Sequence, residues 1–132
     1  MKRALFVLLI AGALSYSVQV EAHHSFAATY FTDKTVTIEG KLVQLLFRNP
    51  HSFIHVEAPD QNGVLRRWGV EWGAVNSLQG QGVSRETFKV GDHIVIMGNP
   101  SRDTSDYRIR MITITRPLDG LTWGGRPGER ID

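Results

Sequence analysis

The sequence predicts an all-β fold: a small five-stranded OB-like barrel with a short helix between strands three and four. Three observations carry this expectation. Five segments alternate apolar and polar residues with the period of two that marks a half-buried strand. Their order is three strands, a short helical stretch and two more strands, the element order of an OB-type barrel. The first strand is long and changes its apolar phase midway, as a bulged strand does. Closing a small sheet removes its sticky edges. It also lets a chain of this size bury a useful core without disulfides, and the sequence has no Cys. The competing architecture is a small open β-sandwich.

The elements follow in order. In segment 35–48, Val36, Ile38 and Leu42 share one face, and Thr37, Glu39 and Lys41 share the other. The apolar phase then moves to Val43, Leu45 and Phe47, with Gly40 just before the shift as the expected bulge site. Asn49-Pro50 marks a turn. Segment 51–58 is the second strand, with Ser52, Ile54 and Val56 facing one way and His51, Phe53, His55 and Glu57 the other. The run from Pro59 to Gly63 is a hairpin signal. Segment 64–72 is the third strand, with Trp68, Val70 and Trp72 on one face, read as core. About two helical turns fit 74–79, and Ser84 can cap a further turn at 85–88. Lys89-Val90-Gly91-Asp92 feeds strand four at 93–98, and strand five covers 107–115. From Arg116 onward Gly, Pro and charge predict a loosely held tail, 116–132.

The N-terminus carries a different signal. Lys2 and Arg3 precede an apolar run from Ala4 to Leu14, and Val20-Glu21-Ala22 offers small residues at the −3 and −1 positions of a cleavage site. This is the layout of a secretory signal. The run is too short to span a bilayer, which takes about 20 residues. Residues 1–22 are therefore expected to be removed, with no stable membrane anchor after cleavage and a periplasmic or secreted location. The domain is expected at 23–115.

Charge narrows the partners. The chain has 15 basic and 13 acidic residues, a net +2. The segment 1–22 holds two of the bases and one of the acids. Near-neutrality argues against nucleic acid, whose binding rests largely on phosphate neutralisation.

With the segments placed, the chain resembles a family of small exported bacterial proteins of unknown function. The resemblance rests on His23-His24-Ser25-Phe26, Asn49-Pro50-His51, Trp68-Gly69-Val70-Glu71 and the Lys89-Val90-Gly91-Asp92 turn. It covers about residues 23–115 and excludes the glycine-rich end of the chain. It implies an envelope location and a compact β fold, and no particular reaction.

The strongest chemical feature is His23. Cleavage after Ala22 gives it an α-amine beside its imidazole, with reference pKa values of about 7.7–8.0 and 6.5. Both nitrogens can bind one ion, and such a donor set suits copper or zinc. His24 adds a second ring. His51, held after the Asn49-Pro50 turn, is the best remote ligand, and Glu71 can supply an oxygen ligand or orient a His ring. Two adjacent His at a terminus are equally compatible with a frayed polar arm. His55 reads as a solvated strand-face residue and His93 as a turn residue. Glu57 with Glu71, or Ser25 with its His neighbours, lacks the cleft or the orienting context that hydrolytic chemistry needs. Two functions follow. One is an exported protein that holds copper or zinc through His23, His24 and His51 with Glu71 nearby, as a carrier or accessory of the envelope. The other is a metal-free binding module for an envelope protein partner or a small ligand. The sequence leans away from an enzyme.

Overall fold

The computed structural model describes residues 26–124. The expected signal segment 1–22 and the candidate ligands His23 and His24 lie outside the described residues.

The described residues form six strands and two short helical pieces: β1 (Val36–Leu46), β2 (Phe53–Pro59), β3 (Leu65–Glu71), α1 (Val75–Gly80), β4 (His93–Pro100), β5 (Arg108–Arg116) and β6 (Leu121–Gly124). The other helical piece is a single turn at 26–29. The sheet order is β3-β2-β1-β4-β5-β6, and β3 also pairs with β5. That parallel pairing, Gly69 to Arg108 through Glu71 to Arg110, closes strands one to five into a barrel. The expected five-stranded OB-like barrel is the fold found.

Alternation explains what goes inside. On β2, Ile54, Val56 and Ala58 are fully buried, while Phe53, His55 and Glu57 point out. Val70 from β3 and Trp72 just after it, Ile94 and Ile96 from β4, and Ile109, Met111 and Ile114 from β5 join them in one core. The phase change on β5, from Met111 to Ile114, has a local cause. Thr113 pairs with Met97 but Met111 pairs with Gly98, so Ile112 is an extra residue.

The same device bends β1. Residues 36–41 pair with β4 and residues 41–46 with β2, so one strand serves both sides of the barrel. The register slips between Leu42 and Gln44, which puts the bulge at Val43 and not at Gly40. Gly40 answers a different need: a Cβ there would overlap the carbonyl oxygen of Glu57 on β2. The residue marks the closest approach of two backbones, one step before the strand changes partner.

The connection between β3 and β4 adds Leu78, Val83 and Phe88 to the core. Ser84 caps as expected, its Oγ accepting from the Glu86 N–H at 3.2 Å. The Lys89–Asp92 turn docks on β1: Gly91 donates to the Leu42 carbonyl at 2.8 Å, and Leu42 donates to that of Asp92 at 2.9 Å.

The expected tail needs correction. Residues 121–124 form β6 against β5, and Trp123 is buried with its ring 5.1 Å from that of Trp72. The Trp123 indole donates to Gln81 Oε1 at 3.0 Å. A lone Trp among Gly, Pro and charge gives little periodicity, yet its burial offsets much of the entropy of ordering a four-residue strand. The ordered domain therefore continues past 115 to Gly124, and residues 125–132 lie outside the described residues.

Candidate functional site

The site lies where the barrel closes. Pairing extends past the ends of β2 and β3: Ser52 donates to the Gly73 carbonyl at 3.0 Å, and Trp72 to that of Ser52 at 2.8 Å. This brings His51, just before β2, beside Glu71, the last residue of β3. The loop that leads to His51 contains a cis Asn49–Pro50 bond. Its Asn49 side chain accepts from the Val75 N–H at 2.9 Å, a cap that α1 does not receive from its own Ala74.

Glu71 is the hub. Its Oε1 lies 2.9 Å from His51 Nδ1, an ion-pair contact. Its Oε2 accepts from the Tyr30 hydroxyl at 2.5 Å and from Arg108 Nη2 at 3.2 Å. The three partners come from the arm before β1, from the loop before β2 and from β5. Both carboxylate oxygens are thus engaged. Nε2 of His51 has no hydrogen-bond partner among the described residues. Burial, reinforced by the bond to Glu71, pushes the Tyr30 phenol well above its ordinary pKa, so it remains a donor at every physiological pH.

The arm is fastened to the β4–β5 side. Tyr30 is 1% exposed and bridges to Ser101. Phe31 donates to the Pro100 carbonyl, Arg102 donates through its backbone to Thr29, and its guanidinium reaches the Ala27 carbonyl. These contacts lay the Phe26 ring 5.5 Å from the His51 ring. The guanidinium of Arg110 sits 4.0 Å from the centre of the Phe26 ring. A cleft of about 70 Å³ opens at this point, with Phe26, Pro50, His51, Trp72, Arg110 and Met111 among its walls.

Of the four candidate ligands, the structure joins His51 and Glu71, while His23 and His24 lie outside the described residues. Among the described residues no group of three or more His, Asp or Glu side chains is placed to hold a metal ion. His55 is half-buried on the outer face of β2, opposite Gly69. Burial lowers its pKa, and the nearby Arg67 lowers it further. His93 opens β4 and its Nε2 meets Glu39 Oε1 at 2.8 Å. Trp72 is core as expected. Trp68 is half-buried against the core and donates to the Ala58 carbonyl at 3.2 Å. Sequence reasoning missed Tyr30, Arg108 and Arg110. Phe26 was visible in the His-His-Ser-Phe stretch, but nothing local tied it to His51.

Fold and site together define a small closed β-barrel of the OB type, with a carboxylate-anchored histidine at its closing seam. A family of unknown function, DUF6152, matches residues 11–109, and the chain belongs to that family. Among curated proteins none matches the chain.

Proposed function

We propose that this is an exported protein that binds copper or zinc at the mouth of the closing seam. The observation that carries the reading is the Glu71–His51 pair. A carboxylate beside Nδ1 can accept a hydrogen bond from Nδ1–H, which favours the tautomer that leaves the Nε2 lone pair for a metal, the usual support of a histidine ligand. Glu71 itself is saturated by Tyr30 and Arg108, so it acts as the orienting group and the remaining ligands come from elsewhere. His24 is two residues before Phe26, and the chain spans at most about 3.6 Å per residue. In this reading His23 and His24 supply remaining ligands, since a tether of two or three residues from Phe26 is long enough to span the distance between its ring and that of His51. Cleavage after Ala22 would complete the set by giving His23 its α-amine. In the periplasm or outside the cell such a site suits a carrier or accessory of an envelope metal system. Among the described residues no helix is long and apolar enough to cross a membrane.

The test uses protein recovered from the periplasm with its first residue identified by mass spectrometry. Copper(II) and zinc(II) titrations should give submicromolar binding. Glu71→Gln should weaken it by about 10–100-fold. His51→Ala, or one extra residue ahead of His23, should weaken it at least as much. Equal affinity in all four proteins would rule the site out.

A second reading, a metal-free binding module, draws support from the cleft beside His51.

A further inference from the structure

Strand register lays out the outward face of the barrel. Gln44 of β1 pairs with His55 of β2. On either side of His55 along β2, Phe53 pairs with Glu71 and Glu57 pairs with Arg67. These outward residues form rows across the sheet. Successive rows are about 7 Å apart, two residues of about 3.4 Å each. Two guanidinium groups stand on neighbouring rows without a carboxylate. Arg48 is exposed, and its guanidinium lies 5.7 Å from the centre of the Phe53 ring. Arg67 is also exposed, and its Nη2 donates to Gln44 Oε1 at 2.6 Å. That bond draws its charge from the Glu57 row to the His55 row. Neither Arg48 nor Arg67 has an ion pair among the described residues, and neither does Glu57. Arg108 differs: it lies over the same Phe53 ring but is spent on Glu71 and Asp106. A neutral ring and a neutral amide thus hold two guanidinium forks in place, and such forks match a carboxylate through two hydrogen bonds. One small acid cannot meet both rows. An extended peptide can, because its alternate side chains share a face at the same spacing of about 7 Å.

We propose that this face binds an extended acidic peptide, with carboxylates at alternate positions, one on Arg48 beside Phe53 and the next on Arg67 beside Gln44. Arg48, Phe53, Gln44 and Arg67 do not line the cleft beside His51. The surface therefore requires no metal, and it gives the binding-module reading a partner chemistry.

Nitrogen-15-labelled mature protein, kept in a chelator at low salt, is titrated with two blocked peptides of one composition. One carries two glutamates at alternate positions and the other carries them side by side. The backbone amides of Gln44, His55 and Arg67 are followed, with the His55 imidazole as a second reporter. The alternating peptide should shift these amides saturably, with half-saturation on the order of 1 mM. Its isomer should bind at least about threefold more weakly, the scale of one exposed ion pair. Arg48→Gln and Arg67→Gln are surface changes that leave the fold intact, and each should raise the half-saturation by a similar factor. Glu57→Gln should lower it, since it removes the acid opposite Arg67. Burial lowers the His55 pKa and Arg67 lowers it further. A carboxylate seated on Arg67 cancels part of the second effect, so the imidazole midpoint should rise in the complex. Equal binding of the two peptides would overturn the proposal, because the face would then answer to net charge alone. So would binding unchanged in both arginine variants. Tighter binding of a uronic-acid oligosaccharide of equal charge would overturn it in favour of an acidic glycan. Because the chelator removes any metal, failure here leaves the metal reading standing, and failure of the metal titration leaves this one.

Discussion

Glu71 shows how one residue gathers more partners than the sequence announces. It ends an alternating strand and reads as an oxygen ligand or a group that orients a His ring, yet side chains from three separate segments converge on it. The Tyr30 bond is buried and charge-assisted, so Tyr30→Phe should cost about 2 kcal/mol in urea unfolding. In a Glu71→Gln background the same change should cost much less, because the partner charge is already gone. Equal losses in both backgrounds would mean that Tyr30 matters only as packing. His55 gives the pH dependence. Its folded pKa lies below the unfolded value of about 6.5, first through burial and then through Arg67. The folded state therefore disfavours the charged ring. Its contribution is fully present above the unfolded pKa and is lost as pH falls from there through the folded pKa. Stability should decline over that window, His55→Gln should flatten the decline, and Arg67→Gln should move the imidazole midpoint part of the way back in an NMR titration. A midpoint at or above the ordinary histidine value would defeat this account. Half of the described site was legible in the sequence. His51 stood out for its type beside a Pro turn. Tyr30 and Arg108 did not, because a buried Tyr in an irregular arm and an Arg at a strand start have no periodic signature.

Elements tell a different story about legibility. Alternation located all five barrel strands, because each must bury one face, and the Ile54-Val56-Ala58 row of β2 shows how plainly that requirement is written. What alternation could not locate was the joint within β1. The change of apolar phase was visible, but the nearest glycine drew the bulge three residues too early. The extra residue is Val43, and Gly40 is required by the Glu57 carbonyl that passes over it. Gly40→Ala should therefore destabilise the protein by about 3 kcal/mol, the upper end for overpacking a tight site, although alanine normally favours order over glycine. Thermal or urea unfolding measures it. A loss under about 0.5 kcal/mol, the scatter of ordinary surface changes, would show that β2 can yield, and the close approach would then not be what fixes the bend. β6 was missed for a related reason. Leu121–Gly124 is too short to show a period, and it is held by one tryptophan that meets Trp72 across the end of the barrel.

At the scale of the whole molecule, the barrel is one cycle of strand pairings, and a cycle opens at its weakest joint. β1 and β4 pair over six residues, Val36 to Lys41, in antiparallel register. β3 and β5 pair over three, Gly69 to Glu71, and in parallel, the arrangement that is slightly weaker per residue. The seam is braced from outside by the Arg108–Glu71 pair across it and by Tyr30 from the arm. The candidate site is thus built on the joint most able to open, and the groups that orient His51 are the ones that keep it shut. Hydrogen exchange should resolve this. The Gly69 amide, which donates to the Tyr107 carbonyl, should exchange through opening of the seam at least about tenfold faster than the amides of β4, which wait for global unfolding. Arg108→Gln should widen that gap by speeding Gly69 more than β4, since it removes a brace the β1–β4 joint does not use. Identical protection at Gly69 and across β4, in both proteins, would show a barrel that opens only as a whole, and the site would then owe its shape to the entire core rather than to the seam.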